Sequence, residues 1–183
     1  GQRGSELAEY NLCTPINATM SSDGEPLLNP DFLREAYHRY NEPFTKFTMH
    51  CEATPRTIDI AQMIFGDGPA MAYEPEIIKL HIDALEGDRS IKLHIQHVSM
   101  AASIPIILQA QRQGLQVSAE VTPHHLLLYK EDIPHWNGEL DPNWKMNPPL
   151  RGREDMMAMR RALADGVISC IATDHAPHTP AEK

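Results

Sequence analysis

The chain has 183 residues, 42% hydrophobic and 22% charged, which is enough for one domain with a buried core. Its formal net charge of -9 argues against a nucleic-acid surface, which is normally basic. No apolar run approaches the roughly 20 residues of a membrane span. Three scattered cysteines without a C-x-x-C pair are typical of a reduced, cytoplasmic protein rather than of a disulfide framework.

Short strands and amphipathic helices alternate along the chain. Asn29 and Pro30 supply a helix cap and a first-turn proline, and Gly87, Gly114 and Gly166 follow the ends of later helical patterns. Helices are predicted over residues 30–40, 74–87, 102–114 and 153–166, and strands over residues 17–21, 44–50, 91–99, 115–121 and 167–172, the last of them buried. This order predicts an α/β fold built from parallel βα units.

A long segment over residues 122–152, rich in Pro, Asn and Trp, interrupts this rhythm. Loops of that length in compact domains are usually functional.

Polar clusters follow the strands, in the order "SSDG", "MHCE", "QHVS", "EVTPHH" and "ATDHAPH". Ligands bind at the carboxyl ends of strands in βα barrels and open α/β sheets. Because polar groups recur at one strand end after another, we expect them to describe one shared site.

A divalent metal suits these clusters, since imidazole and carboxylate groups bind zinc. Asp23, His50, His97 and Asp174 come from four different strands, and a carboxylate such as Asp174 is suited to proton transfer beside a metal-activated water. Each residue also has a structural explanation, such as a turn at Asp23 or a helix cap at Asp174. Turns and caps do not explain why His and Asp recur at successive strand ends.

The third strand offers two histidines, His94 and His97. Strict alternation places His97 on the face of Leu93 and Ile95 and His94 on the other face. Both faces of a barrel strand are buried, so this parity leaves the choice open. For His38, His81 and His135 we expect structural or surface roles.

The motifs "SSDG", "HCE", "HIQHVS", "VTPHHLLL", "NPPLR" and "ATDHAPHT", in this order, resemble dihydroorotase of the bacterial class I type, in the amidohydrolase superfamily. The resemblance runs from about Gly4 to Thr179. It implies a (β/α)8 TIM-type barrel with metal at its C-terminal mouth, of which this chain holds about five of the eight βα units. Residues 1–183 are then one incomplete barrel domain.

The resemblance also implies residue roles. Asp23 matches the carboxylate that bridges two zinc ions, and His50 and His97 match ligands of the second zinc, which favours His97 over His94. Asp174 matches the catalytic acid/base, and Asn147, His178 and Asp174 match contacts to substrate.

The implied reaction is the reversible closure of N-carbamoyl-L-aspartate to dihydroorotate in pyrimidine synthesis, with one or two zinc ions. The implied partners are this small-molecule substrate and either a second copy of the chain or aspartate transcarbamoylase, without nucleic acid or membrane.

Two departures from the family pattern affect the expected activity. Ser22 stands where the family usually has an aspartate, which is minor because Asp23 is kept. The family's first strand carries H-x-H and a substrate-binding arginine, but no H-x-H occurs in these 183 residues, and the third-strand asparagine is absent too. The chain also begins without methionine, so we expect a piece of a longer protein that is inactive alone.

Two alternatives stay open. An allantoinase or hydantoinase typically uses a carboxylated lysine at the fourth strand, but no lysine lies between Gly4 and Phe44. An inactive dihydroorotase-like partner of aspartate transcarbamoylase would also lack H-x-H, although the other ligands are retained here.

Overall fold

The computed structural model describes residues 14–15, 29–51 and 73–175. The strands are β1 (Thr14–Pro15), β2 (Phe47–Met49), β3 (Lys92–Ile95), β4 (Gln116–Val121), β5 (His135–Trp136), β6 (Glu139–Leu140) and β7 (Cys170–Ile171). The α-helices are α1 (Pro30–Arg39), α2 (Glu74–Asp83), α3 (Ser103–Arg112), α4 (Pro123–Leu127) and α5 (Arg153–Ala164). Two short 3-10 turns, Lys130–Asp132 and Pro142–Trp144, lie in the long segment.

Five strands form one parallel sheet in the order β1-β2-β3-β4-β7. The strands of this sheet are ordered as they are in the chain, with the hairpin strands β5 and β6 outside it, and at least one helix lies between each neighbouring pair, which is the arrangement of βα units. The predicted helices and the three central strands are therefore confirmed. The described part of the first strand, Thr14–Pro15, lies before the predicted residues 17–21, which are outside the described part of the chain.

Helix α1 begins where its sequence predicts. The Asn29 side chain accepts hydrogen bonds from the backbone N–H groups of Asp31 at 2.9 Å and Phe32 at 3.3 Å, and Pro30 occupies the first turn. These bonds satisfy backbone donors that have no partner inside the helix.

The core lies between the sheet and the helices. Phe47, Leu93 and Ile95 of the sheet are fully buried, together with Ile77 and Ile107 of α2 and α3. Burial of a side chain of this size contributes about 1.5–3 kcal/mol of transfer free energy. No helix in the described ranges has both the length and the apolar character needed to cross a membrane.

The last strand differs from its prediction. The apolar run over residues 167–172 predicts a buried strand, but only Val167 and Ile168 are buried, and β7 is two residues long with Ile171 53% exposed. Within the described residues β7 pairs with β4 alone, so its other edge and its faces lack the packing that buries a central strand.

The long segment contains a hairpin that the prediction of a loop did not include. Strands β5 and β6 pair antiparallel, and the turn residues Asn137 and Gly138 have φ of 53° and 84°. Asn-Gly is a favoured turn for two-residue hairpins because both positions tolerate positive φ.

His81 of α2 is fully buried, with Nδ1 2.5 Å from the Tyr37 hydroxyl oxygen, and burial lowers the pKa of His81 to about 3. The unfolded chain binds a proton near pH 6.5, whereas the folded chain does so only near pH 3. The free energy of unfolding should therefore fall as pH drops through this window, and His81 should account for about 2 kcal/mol between pH 7 and pH 5.

Urea unfolding at pH 7 and pH 5 measures this contribution. The variant His81→Gln should lose less stability on acidification than the parent, whereas the exposed control His135→Gln should behave like the parent. If the parent and His81→Gln lose equal free energy of unfolding between pH 7 and pH 5, protonation of His81 does not destabilise the folded chain.

Candidate active site

The predicted site residues lie at one edge of the parallel sheet. His50 directly follows β2, His97 follows β3 by two residues, and Asp174 follows β7 by three. Helix α4, with His124 and His125, begins directly after β4. Because all four strands are parallel, their carboxyl ends meet at this edge, where βα proteins bind ligands.

His50 and His97 are in direct contact. Nε2 of His97 lies within hydrogen-bonding distance of Nδ1 of His50, and the ring centroids are 4.2 Å apart with the rings nearly perpendicular at 81°. His97 is 3% exposed. Burial, with the neighbouring His50, lowers the pKa of His97 to about 3, so its ring is neutral at physiological pH. Neutral imidazole is the form that binds metal.

The backbone at His97 explains why alternation did not identify the site histidine. His97 has φ of 35°, a conformation that residues other than glycine seldom adopt, so the chain leaves the extended geometry on which alternation depends. His94 instead contacts Ser118 and Glu120 on the sheet itself.

Asp174 shares this unusual backbone geometry, with φ of 49°. Non-glycine residues with positive φ cost free energy and are frequent at functional sites. His97 and Asp174, both predicted from the sequence, thus have strained backbone conformations two and three residues after their strands.

The Asp174 carboxylate acts electrostatically on His124. Burial lowers the pKa of His124, and the Asp174 carboxylate opposes this shift, which places that carboxylate in electrostatic reach of the His124 ring. His124 and His125 also help to lower the pKa of His97. We call His50, His97, His124 and His125 the histidine cluster.

His125 holds the long segment against this cluster. Its Nδ1 lies 2.7 Å from the Thr122 hydroxyl oxygen, and its Nε2–H donates to the Pro149 carbonyl at 3.1 Å. Burial is the main cause that lowers the pKa of His125 to about 4. His125 therefore fixes "NPPLR", in which Asn147 is exposed, relative to α4.

A buried hydrogen-bond network around Glu74 stabilises the loop that follows His97. Glu74 is 3% exposed and accepts from the backbone N–H groups of Ser99 and Met100 and from the hydroxyls of Ser99 and Ser103. Arg151 donates from Nε to the Ser99 hydroxyl oxygen at 3.0 Å, and its guanidinium lies 3.8 Å from the Glu74 carboxylate. The network thus joins the loop after His97 to "NPPLR".

The structure therefore brings His50 and His97 into contact and places Asp174 at the same edge of the sheet. Asn147 lies on the segment that His125 anchors, and Asp23 and His178 lie outside the described residues. The donor set fits a divalent metal, because imidazole nitrogens of His50 and His97 lie in contact at the carboxyl edge of the sheet.

Comparison with known proteins supports the resemblance seen in the motifs. No protein-family model matches the chain. A dihydroorotase from Bacillus cytotoxicus is 37% identical over 189 residues, covering 100% of this chain and 43% of the relative. The chain thus spans less than half the length of that curated relative, and its similarity to dihydroorotase extends over all of its residues.

Solved structures share the fold. D-hydantoinase from Bacillus sp. AR9 superposes with a TM-score of 0.76 at 19% identity, over 97% of this chain and 40% of that one. Dihydroorotase from Campylobacter jejuni superposes with a TM-score of 0.68 at 16% identity, over 97% and 49% of the two chains. The predicted fold class is confirmed: the chain forms part of a (β/α)8 barrel.

Proposed function

We propose that this chain is part of a dihydroorotase and carries one side of its active site. The observation that carries the proposal is the contact of His50 with His97 at the carboxyl edge of the sheet, where Asp174 also follows a strand, in a chain 37% identical to a dihydroorotase. Residues 1–183 then form one incomplete barrel domain.

The proposed metal ligands are Asp23, His50 and His97, and the proposed metal is zinc, as one or two ions in the complete site. Buried, neutral imidazole at His97 suits such a ligand. A divalent ion held there supplies Lewis acidity, which polarises the amide carbonyl and makes water more acidic.

Asp174 is the proposed proton carrier. In the hydrolytic direction, water adds to the ring amide carbonyl, the Asp174 carboxylate takes a proton from it, and the C–N bond breaks as the same proton passes to the departing nitrogen. In the synthetic direction Asp174 returns the proton to the oxygen that leaves as water. The exposure of Asp174 at the strand edge leaves it open to a small substrate.

Asn147 and His178, together with Asp174, are the proposed substrate contacts. Asn147 lies two residues before Pro149, whose carbonyl His125 holds, so its backbone is tied to the histidine cluster. The proposed substrate pair is N-carbamoyl-L-aspartate and dihydroorotate, and the proposed location is the cytoplasm. A second copy of the chain or aspartate transcarbamoylase is the proposed protein partner.

Turnover assays of two proteins test the proposal. The 183-residue chain should show no dihydroorotate turnover with added zinc, because it contains no H-x-H pair to complete the metal ligands. The longer protein that includes these residues should hydrolyse dihydroorotate and should lose this activity in the His50→Ala variant.

Hydantoin, allantoin and dihydroorotate are compared as substrates at matched concentrations. Preference of the longer protein for hydantoin or allantoin would contradict the dihydroorotase assignment. Turnover by the 183-residue chain above that of its His50→Ala variant would contradict the expected inactivity of the chain. If the longer protein is loaded with zinc and still turns over none of the three substrates, a scaffold role is favoured.

A further inference from the structure

Strand register places three metal-ligating side chains on one face of the sheet. His94 of β3 lies opposite Ser118 of β4, and Glu120 of β4 lies opposite Cys170 of β7. Ser118 and Glu120 are two residues apart, so they project from the same face. His94, Glu120 and Cys170 therefore share the face that does not pack in the hydrophobic core.

These side chains approach each other closely enough for one ion. A nitrogen of His94, a carboxylate oxygen of Glu120 and the sulfur of Cys170 all lie within 4.8 Å of one another. Nε2 of His94 is 2.8 Å from Oε2 of Glu120. Ligand atoms around a tetrahedral zinc, with bonds of about 2.0–2.3 Å, are roughly 3.3–3.8 Å apart, so small side-chain shifts suffice.

Polar groups contact both nitrogens of the His94 ring. Nδ1 lies 2.8 Å from the Ser118 hydroxyl oxygen, which is also 3.4 Å from the Leu93 carbonyl oxygen, and Nε2 lies 2.8 Å from Oε2 of Glu120. The tautomer that donates from Nδ1–H to Ser118 leaves the Nε2 lone pair free to bind a cation beside the Glu120 carboxylate. Metal-bound histidines usually donate their other N–H to a polar partner in this way.

The Glu120 carboxylate has little access to water, and His94 lies at ion-pair distance from it. The side chains of His94 and Glu120 are 9% and 14% exposed, and within the described ranges Glu120 has no ion pair with lysine or arginine. A carboxylate with little access to water is stabilised by a cation or by hydrogen-bond donors. A proton shared with His94 would supply one without involving Cys170, whereas a metal ion uses all three groups.

We propose that His94, Glu120 and Cys170 form a zinc site on the sheet, separate from His50 and His97. One nitrogen, one oxygen and one sulfur donor form a set that zinc accepts, with a fourth position left for water. The inference does not depend on the proposed dihydroorotase activity.

The site gives the short strand β7 a further connection to the sheet. Only two residue pairs join β7 to β4. An ion at this position ties together β3, β4 and β7, whose ends lead to His97, to His124 and to Asp174. Zinc should accordingly raise the melting temperature of the protein, because it binds the folded chain preferentially.

Titration of the purified protein with cobalt(II) tests the site, since cobalt(II) replaces zinc and gives a near-ultraviolet charge-transfer band when bound by thiolate. We expect the band in the parent and in the matched control Cys51→Ser, and its loss in Cys170→Ser. Ser118→Ala should weaken cobalt binding by about 10–100-fold. The His50→Ala variant should keep the band.

Absence of the band at saturating cobalt, or its persistence in Cys170→Ser, would overturn the proposal. Alkylation of the parent protein provides a second measurement that needs no variant. Cys170 is exposed, so it should react rapidly in metal-free protein and be protected by zinc. Equal modification of Cys170 with and without zinc would also overturn the proposal.

Discussion

Replacing Asp174 with asparagine should lower kcat of the longer protein by about 10²–10⁴-fold, because asparagine cannot carry the proton between water and the departing nitrogen. The substitution keeps the side-chain shape, and asparagine tolerates the φ of 49° at this position as well as aspartate does. Since Asp174 is exposed, the free energy of unfolding should change by no more than about 0.5 kcal/mol.

The measurements are steady-state kinetics, metal content and urea unfolding on the same preparations. The matched control is Asp165→Asn, an exposed aspartate at the C-cap of α5, which should leave kcat and KM unchanged. If Asp174→Asn retains the parent kcat with full metal content, Asp174 is not the proton carrier. If metal is lost along with activity, Asp174 acts as a ligand instead.

The helices and central strands followed from local signals in the sequence. Asn29-Pro30 marked the start of α1, and the spacing of Ile77, Ile78 and Ile82 marked α2. These features act within one or two turns of chain, so periodicity and caps describe them well. The hairpin at Asn137-Gly138 carried an equally local signal and was predictable, although the long segment was interpreted only as a loop.

The candidate active site is harder to predict from local sequence signals. Alternation assumes an extended backbone, and the positive φ at His97 violates that assumption where the choice between His94 and His97 had to be made. The exposure of β7 depends on which elements pack beside it, and an apolar run carries no such information. Glu74 looks like an ordinary acidic residue in a first helical turn, because its partners lie 25 or more residues away.

That distant network leads to the largest expected change in stability. Glu74→Ala should lower the free energy of unfolding by about 3–5 kcal/mol. It removes the only carboxylate seen to accept from Ser99, Met100 and Ser103 in the described structure, and it removes a buried negative charge 3.8 Å from the Arg151 guanidinium. Glu74→Gln keeps one acceptor oxygen and the side-chain shape, so its loss should be smaller.

The matched control is Glu76→Ala, which removes a second carboxylate from the same first turn of α2. Glu76 is exposed, so the control loses the same interaction with the helix dipole but no buried hydrogen bonds, and the expected cost is below about 1 kcal/mol. Urea unfolding at pH 7 measures all three variants. If Glu74→Ala and Glu76→Ala lower the free energy of unfolding equally, the Glu74 network does not hold the loop after His97 to the "NPPLR" segment. The geometry of the histidine cluster then depends on His125 and its hydrogen bond to the Pro149 carbonyl.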